Sequence, residues 1–147
     1  YVAYVTGSPW LALIGLIMAA ALIGFLYYNR YPAKVFPGDS LTWSIGALIA
    51  GMAILGNFEK IAVFVFIPYI LETILKSRGR LAKASFAKPL KDGTLDLKYK
   101  KIYGLEHLAV YILKRLKPSK KVYEKDVVYL IHGFQIFMII LAFFFFL

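Results

Sequence analysis

The side chains best suited to chemistry gather in YYNRYPAKVFPGDSLTW, residues 27–43, between two apolar runs of membrane-spanning length. The stretch holds one carboxylate, Asp39, directly behind Pro37-Gly38, and two cations, Arg30 and Lys34. A lone acid on such a turn has two readings. It can cap the helix that follows, a contribution of about 1 kcal/mol, with Ser40 assisting. It can equally be a ligand for a hard metal, because magnesium is held by one or two carboxylates together with substrate phosphates. The neighbouring cations suit a phosphate. Asn29 carries an amide that can orient the turn by hydrogen bonding.

The elements that must position this turn are apolar. The chain has 147 residues, 61% hydrophobic, with mean hydropathy +0.69, against the roughly 45–50% apolar content of soluble domains. Four segments read as spans: about 10–28, 41–57, 61–75 and 127–147. A span needs about 20 residues; the first and last meet this easily, and the middle two are short. The turn GNFEK makes those two an antiparallel pair, and Pro68 is expected to kink the third. Glu72, one turn on, is expected to face protein or the water boundary. Cysteine is absent, which excludes disulfides, thiol nucleophiles and thiolate metal sites. Two histidines make a His-rich metal site a poor prospect. The first residue is Tyr, with no basic segment before the first apolar run, so that run does not read as a signal peptide. The expectation is a chain that begins inside a larger protein, or has been processed or truncated.

Charge orients these spans. Residues 76–125 hold 15 Lys/Arg against 4 Asp/Glu, a net of +11, while the remainder nets −1. Lys and Arg accumulate on the cytoplasmic side, so this loop is expected inside, with residues 29–40 beside it and both termini outside. Within the loop, Asp92-Gly93 between short flanking segments predicts a β-hairpin. Leu105, Leu108, Ala109, Ile112, Leu113 and Leu116 predict one apolar stripe on a helix over about 104–117. Lys114, Arg115 and Lys117 cluster at its end, the pattern of a basic amphipathic helix lying in the interface. The expected fold is an all-α integral membrane protein: four transmembrane helices, with a long basic cytoplasmic loop that contains a small β-hairpin and an amphipathic interfacial helix.

Asn29, Pro32, Ala33, Phe36, Gly38 and Asp39 stand in the register Asn-x-x-Pro-Ala-x-x-Phe-x-Gly-Asp. That string resembles the signature of the polyprenyl-phosphate N-acetylhexosamine-1-phosphate transferases, the glycosyltransferase 4 family. The span, short turn, span and long basic loop that follow resemble the dolichyl branch, UDP-GlcNAc–dolichyl-phosphate GlcNAc-1-phosphotransferase, more than the bacterial phospho-MurNAc-pentapeptide transferase. The bacterial enzyme carries a histidine cluster in that loop; residues 76–100 here contain no histidine. The resemblance covers only the C-terminal part of such an enzyme, since the paired aspartates of the family belong upstream.

The resemblance implies transfer of N-acetylglucosamine-1-phosphate from UDP-GlcNAc to a dolichyl or other polyprenyl phosphate at the cytoplasmic face, the first step of lipid-linked oligosaccharide synthesis. It implies Mg2+, with Mn2+ as the alternative, on Asp39, with Asp39 and Asn29 as catalytic residues. Arg78, Arg80, Lys83, Ser85 and Lys88 would then bind the donor; the alternative for each cation is a stretch that solvates headgroups. Partners implied are the UDP-sugar, the lipid phosphate, anionic headgroups, an N-terminal half of the same enzyme and, as an option, a second copy in a homodimer, with no nucleic acid. An archaeal cell membrane is favoured, with endoplasmic reticulum as alternative. A lipid-binding scaffold or a transporter subunit are the competing classes. The remaining singular residues read as structural: His107 on the polar flank of the amphipathic helix, His132 and Gln135 as interhelical hydrogen bonders, and Trp10, Trp43, Tyr27, Tyr28 and Tyr31 as interfacial anchors.

Overall fold

The computed structural model describes residues 1–84 and 86–146, which form seven helices and two short strands. They divide into two compact units, residues 1–63 and 64–146.

The first unit holds α1 (Val2–Val5), α2 (Pro9–Asn29) and α3 (Asp39–Leu55). Pro9 opens α2, where its fixed φ suits a first turn and its missing N–H costs nothing. At 1.5 Å per residue, 21 residues reach about 32 Å, enough for the roughly 30 Å of bilayer hydrocarbon. Leu11 is its only buried residue, whereas Leu16, Ile17 and Ile23 are exposed. Gly15 brings α2 against α3: an added Cβ would sit 2.9 Å from the methyl of Met52. With 17 residues, about 26 Å, α3 is apolar but shorter than a full span.

The third expected span is divided. Helix α4 (Glu59–Val65) stops, and α5 (Ile67–Arg78) restarts with Phe66 as its N-cap. Pro68 explains the break, since it is tolerated in a first helical turn and not in an interior. The amide of Gln135, from the last helix, donates to the Val65 carbonyl at the break (3.1 Å), the interhelical role expected of it. Among the described residues, two helices are long and apolar enough to cross a membrane: α2 and α7 (Glu124–Phe146). Of the four expected spans, two are full-length apolar helices; α3 is shorter and the third is broken into α4 and α5.

In the second unit the predicted hairpin is present. Strand β1 (Lys88–Pro89) pairs antiparallel with β2 (Leu95–Asp96), with Lys88 opposite Asp96 and Pro89 opposite Leu95. Gly93 turns the chain at φ +76°, a conformation that favours glycine. The Asp92 carboxylate accepts from the Thr94 hydroxyl (2.6 Å) and the Thr94 N–H (3.2 Å), closing the loop.

Helix α6 (Leu105–Leu116) lies within one residue at each end of the predicted 104–117. It packs on α7 through a small core of Ala109, Val110, Val122 and Val127, against which Leu95, Leu97, Leu113 and Leu130 lie. The Leu95 N–H donates to the Val122 carbonyl (2.7 Å), so the hairpin docks on the segment that follows α6.

Two details depart from expectation. His107, expected on the polar flank, is fully buried. The loop folds back over that flank: His107 Nε2 lies 3.0 Å from the Phe86 carbonyl oxygen, and Tyr99 meets the ring edge-on at 5.9 Å. Leu116, expected at the end of the apolar stripe, is 72% exposed.

Candidate functional site

The turn between α2 and α3 is closed by its own amides. Asn29, the last residue of α2, donates from Nδ2 to the Val35 carbonyl at 2.8 Å. The Lys34 N–H donates to the Tyr28 carbonyl at 2.9 Å. Arg30 leaves the helix with extended backbone, φ −61° and ψ 150°, two residues before Pro32. Its guanidinium lies over the Tyr27 ring at 5.0 Å.

Gly38 is the N-cap of α3, and Asp39 is the first helical residue. The Gly38 carbonyl accepts from the N–H groups of Leu41 (3.1 Å) and Thr42 (3.2 Å). The Thr42 hydroxyl donates to the Asp39 carbonyl at 3.1 Å. No side chain makes a capping hydrogen bond here, so the N-cap reading of Asp39, with help from Ser40, is not what the structure shows. Among the described residues the Asp39 carboxylate has neither a hydrogen bond nor an ion pair, and the residue is exposed. Gly38 has ordinary backbone, φ −85° and ψ 170°, and an added Cβ would meet nothing within 4 Å. The fold of these residues does not itself require glycine there. The result is a bare carboxylate at the positive end of a helix dipole, which favours its negative charge, with open space beside Gly38.

The second set of predicted residues belongs to the second unit. Arg78 ends α5. Arg80 and Leu81 follow with φ +53° and +58°. Their N–H groups close the helix end onto the carbonyls of Ser77 (2.9 Å) and Lys76 (3.2 Å). Two consecutive non-glycine residues in the left-handed region cost about 1–3 kcal/mol each. Lys83 Nζ stands 5.6 Å from the centre of the Tyr99 ring, which Lys98 also approaches, at 5.8 Å. Lys88 lies in β1 opposite Asp96. Arg78, Arg80, Lys83 and Lys88 are all exposed, and none forms a salt bridge among the described residues. Ser85 lies outside the described residues.

The acids of this unit are largely engaged in structure. Asp96 pairs with Lys114; that hydrogen bond and one from the Leu97 N–H hold its carboxyl below the usual aspartate value. Glu72 accepts from the Leu105 N–H, the first amide of α6, and pairs with Lys76 at 3.2 Å. It faces protein, one of the two surroundings its position suggested. Burial, with a smaller push from the Glu72 charge, raises the Glu106 carboxyl above the ordinary glutamate value. The i,i+4 spacing of Glu72 and Lys76 is legible in sequence; the tie to Leu105, 33 residues away, is not. Tyr99 as a platform for two lysines was equally invisible.

Comparison with known proteins follows the turn. Residues 1–57 match the family model described as glycosyl transferase family 4. Over that segment, which includes the whole turn from Asn29 to Asp39, the chain is similar to glycosyl transferase family 4. Among its relatives is a protein of Sulfolobus acidocaldarius provisionally named UDP-N-acetylglucosamine–dolichyl-phosphate N-acetylglucosaminephosphotransferase. It is 33% identical over 135 residues, covering 92% of this chain and 39% of the relative. A protein of the same provisional name from Saccharolobus solfataricus is 36% identical over 138 residues, 93% of this chain and 40% of the relative. The phospho-N-acetylmuramoyl-pentapeptide-transferase of Carboxydothermus hydrogenoformans is 42% identical over 64 residues, 44% of this chain and 20% of that enzyme. The chain thus spans about two-fifths of the length of the two archaeal relatives.

Proposed function

We propose that the whole protein transfers N-acetylglucosamine-1-phosphate from UDP-GlcNAc to a dolichyl or related polyprenyl phosphate, at the cytoplasmic face of a multi-pass membrane enzyme. The observation that carries the reading is the turn from Asn29 to Asp39, which ends in a carboxylate with no structural employment. The names of the archaeal relatives support it, and their matches run through the basic loop. The match to the pentapeptide transferase covers 44% of the chain, which favours the dolichyl branch over the muramoyl one.

In this reading a phosphate oxygen of the acceptor lipid attacks the β-phosphorus of UDP-GlcNAc. The bond from that phosphorus to the bridging oxygen breaks, and UMP leaves. Phosphoryl transfer of this kind depends on positioning and charge. Asn29 holds the turn that presents Asp39. Arg78, Arg80, Lys83 and Lys88, with Ser85, would bind the donor diphosphate, and Arg80 is held at the end of α5 by its backbone N–H on the Ser77 carbonyl. Asp39 fits a divalent cation: it is an exposed, unpartnered hard-oxygen donor. Among the described residues no group of three His, Cys, Asp or Glu gathers to complete a site. One carboxylate from this segment, with phosphate oxygens and the rest of the enzyme, suits Mg2+, which takes few protein carboxylates. When bound, the ion would neutralise phosphate charge.

The test uses the purified full-length protein in detergent or nanodiscs, with dolichyl phosphate and labelled UDP-GlcNAc. UMP release matched by a lipid-linked GlcNAc diphosphate is expected. Turnover only with UDP-MurNAc-pentapeptide, or with neither donor, would overturn the assignment.

A further inference from the structure

Helices α6 and α7 enclose an apolar groove of about 450 Å³ with Leu71 of α5 at its edge. Its walls include Leu108, Ile112, Tyr129, Gly133 and Phe137. The volume lies within the range of about 300–1,000 Å³ typical of small-molecule sites. The groove runs beside a helix long and apolar enough to cross a membrane. Its natural filling is therefore a hydrocarbon chain rather than water.

The charge beyond the groove is sorted. Helix α6 ends in Lys114, Arg115, Leu116 and Lys117, and the chain returns to α7 through Lys120, Lys121 and Lys125. Two of these cations are consumed by the fold, because Lys114 pairs with Asp96 and Lys117 with Asp126 (2.6 Å). Arg115, Lys120, Lys121 and Lys125 are exposed and make no salt bridge among the described residues. On the helices themselves, Leu116 follows Ile112 by one turn, and Lys125 precedes Tyr129 by one turn. These four cations, of which Arg115 lies over the Tyr111 ring at 4.8 Å, therefore stand at the end of the groove where α7 begins, which is the level of headgroups for a spanning helix. Exposed Leu116 continues the apolar wall toward the same end.

We propose that this α6–α7 corner binds a bilayer phospholipid with an anionic headgroup, one acyl chain in the groove and the phosphate against Arg115, Lys120, Lys121 and Lys125. The site stands apart from the transferase reading, since it uses neither Asp39 nor the cations at 78–88. A zwitterionic lipid fills the groove equally well but leaves four uncompensated positive charges at the membrane surface, where each Lys or Arg favours anionic lipid. Charge complementarity thus selects among lipids.

The experiment places Tyr129→Trp in the full-length protein with Trp10 and Trp43 changed to Phe, in nanodiscs. A tenth of the lipid is phosphatidylglycerol or phosphatidylcholine carrying bromine on its acyl chains. Quenching at least twofold stronger by the brominated phosphatidylglycerol is expected. The preference should vanish when Arg115, Lys120, Lys121 and Lys125 are all Gln, and shrink in 1 M salt, where the screening length falls from about 10 Å to about 3 Å. Gly133→Leu should plug the groove and lower quenching by both lipids, because an added Cβ there meets nothing within 4 Å and helix α7 stays intact. Circular dichroism of each variant verifies folding. Equal quenching by both lipids overturns the selectivity. Absence of quenching by either shows the groove covered by protein and overturns the site. Loss of quenching on adding a small fraction of polyprenyl phosphate assigns the groove to that lipid and likewise overturns the proposal.

Discussion

Replacing Asp39 by Asn separates what this side chain does for the fold from what it does for chemistry. The structural cost can be worked from the turn. Gly38, not Asp39, caps α3, and no side-chain hydrogen bond is present to lose. The remaining stabilisation is the attraction of an exposed carboxylate to the helix N-terminus, about 0.3–1 kcal/mol at low salt. Asn keeps the size and loses the charge. Folding, yield and helix content should therefore stay close to wild type. If Asp39 holds the cation in the proposed reaction, transition-state stabilisation should fall by about 3–4 kcal/mol, which is several hundred-fold in rate at about 1.4 kcal/mol per factor of ten. The assay is lipid-linked GlcNAc diphosphate formed per minute by the full-length enzyme, with saturating donor and acceptor. Lys34→Ala, on the same turn, serves as comparison and should cost far less. A well-folded Asp39→Asn enzyme that retains more than about half of normal turnover would refute the metal assignment.

Three further outcomes follow from the second unit and its placement. Glu72→Ala removes the acceptor for the first amide of α6; a hydrogen bond to a charged group contributes about 1.5–3 kcal/mol. Amide exchange at Leu105–Leu108 should accelerate accordingly, and unchanged protection there would count against the tie. Glu106 has its folded value raised by burial, so the folded state holds its proton more tightly than the unfolded one. Stability from this group is present at low pH and is lost as pH rises from the ordinary glutamate range through the raised folded value. Glu106→Gln should accordingly raise the thermal midpoint at pH 7 and change it little near pH 4; a lower midpoint at pH 7 would contradict the burial argument. Finally, Ser119→Cys should label from the cytoplasmic side alone, and labelling by an impermeant reagent from outside intact cells would reverse the proposed orientation.

The local elements were legible in the residues alone. Proline and glycine positions and apolar periodicity are short-range signals. They placed α2, the hairpin at Asp92-Gly93 and the ends of α6 within a residue or two. The Asn29–Asp39 register likewise pointed to the family whose model matches residues 1–57, because its spacing lies on one continuous turn. Tertiary structure decided what no local signal encodes. His107 reads as polar-flank from its helix phase, yet the strand-bearing loop from Phe86 to Tyr99 folds over it and buries it. Lys114 and Lys117 read as free headgroup cations, yet Asp96 and Asp126 neutralise them across folded segments. The cap reading of Asp39 failed for a related reason. Asp favours the N-cap in general, but the extended backbone at Gly38 starts the helix one residue earlier, so Asp39 is already helical and its carboxylate is left without a partner among the described residues.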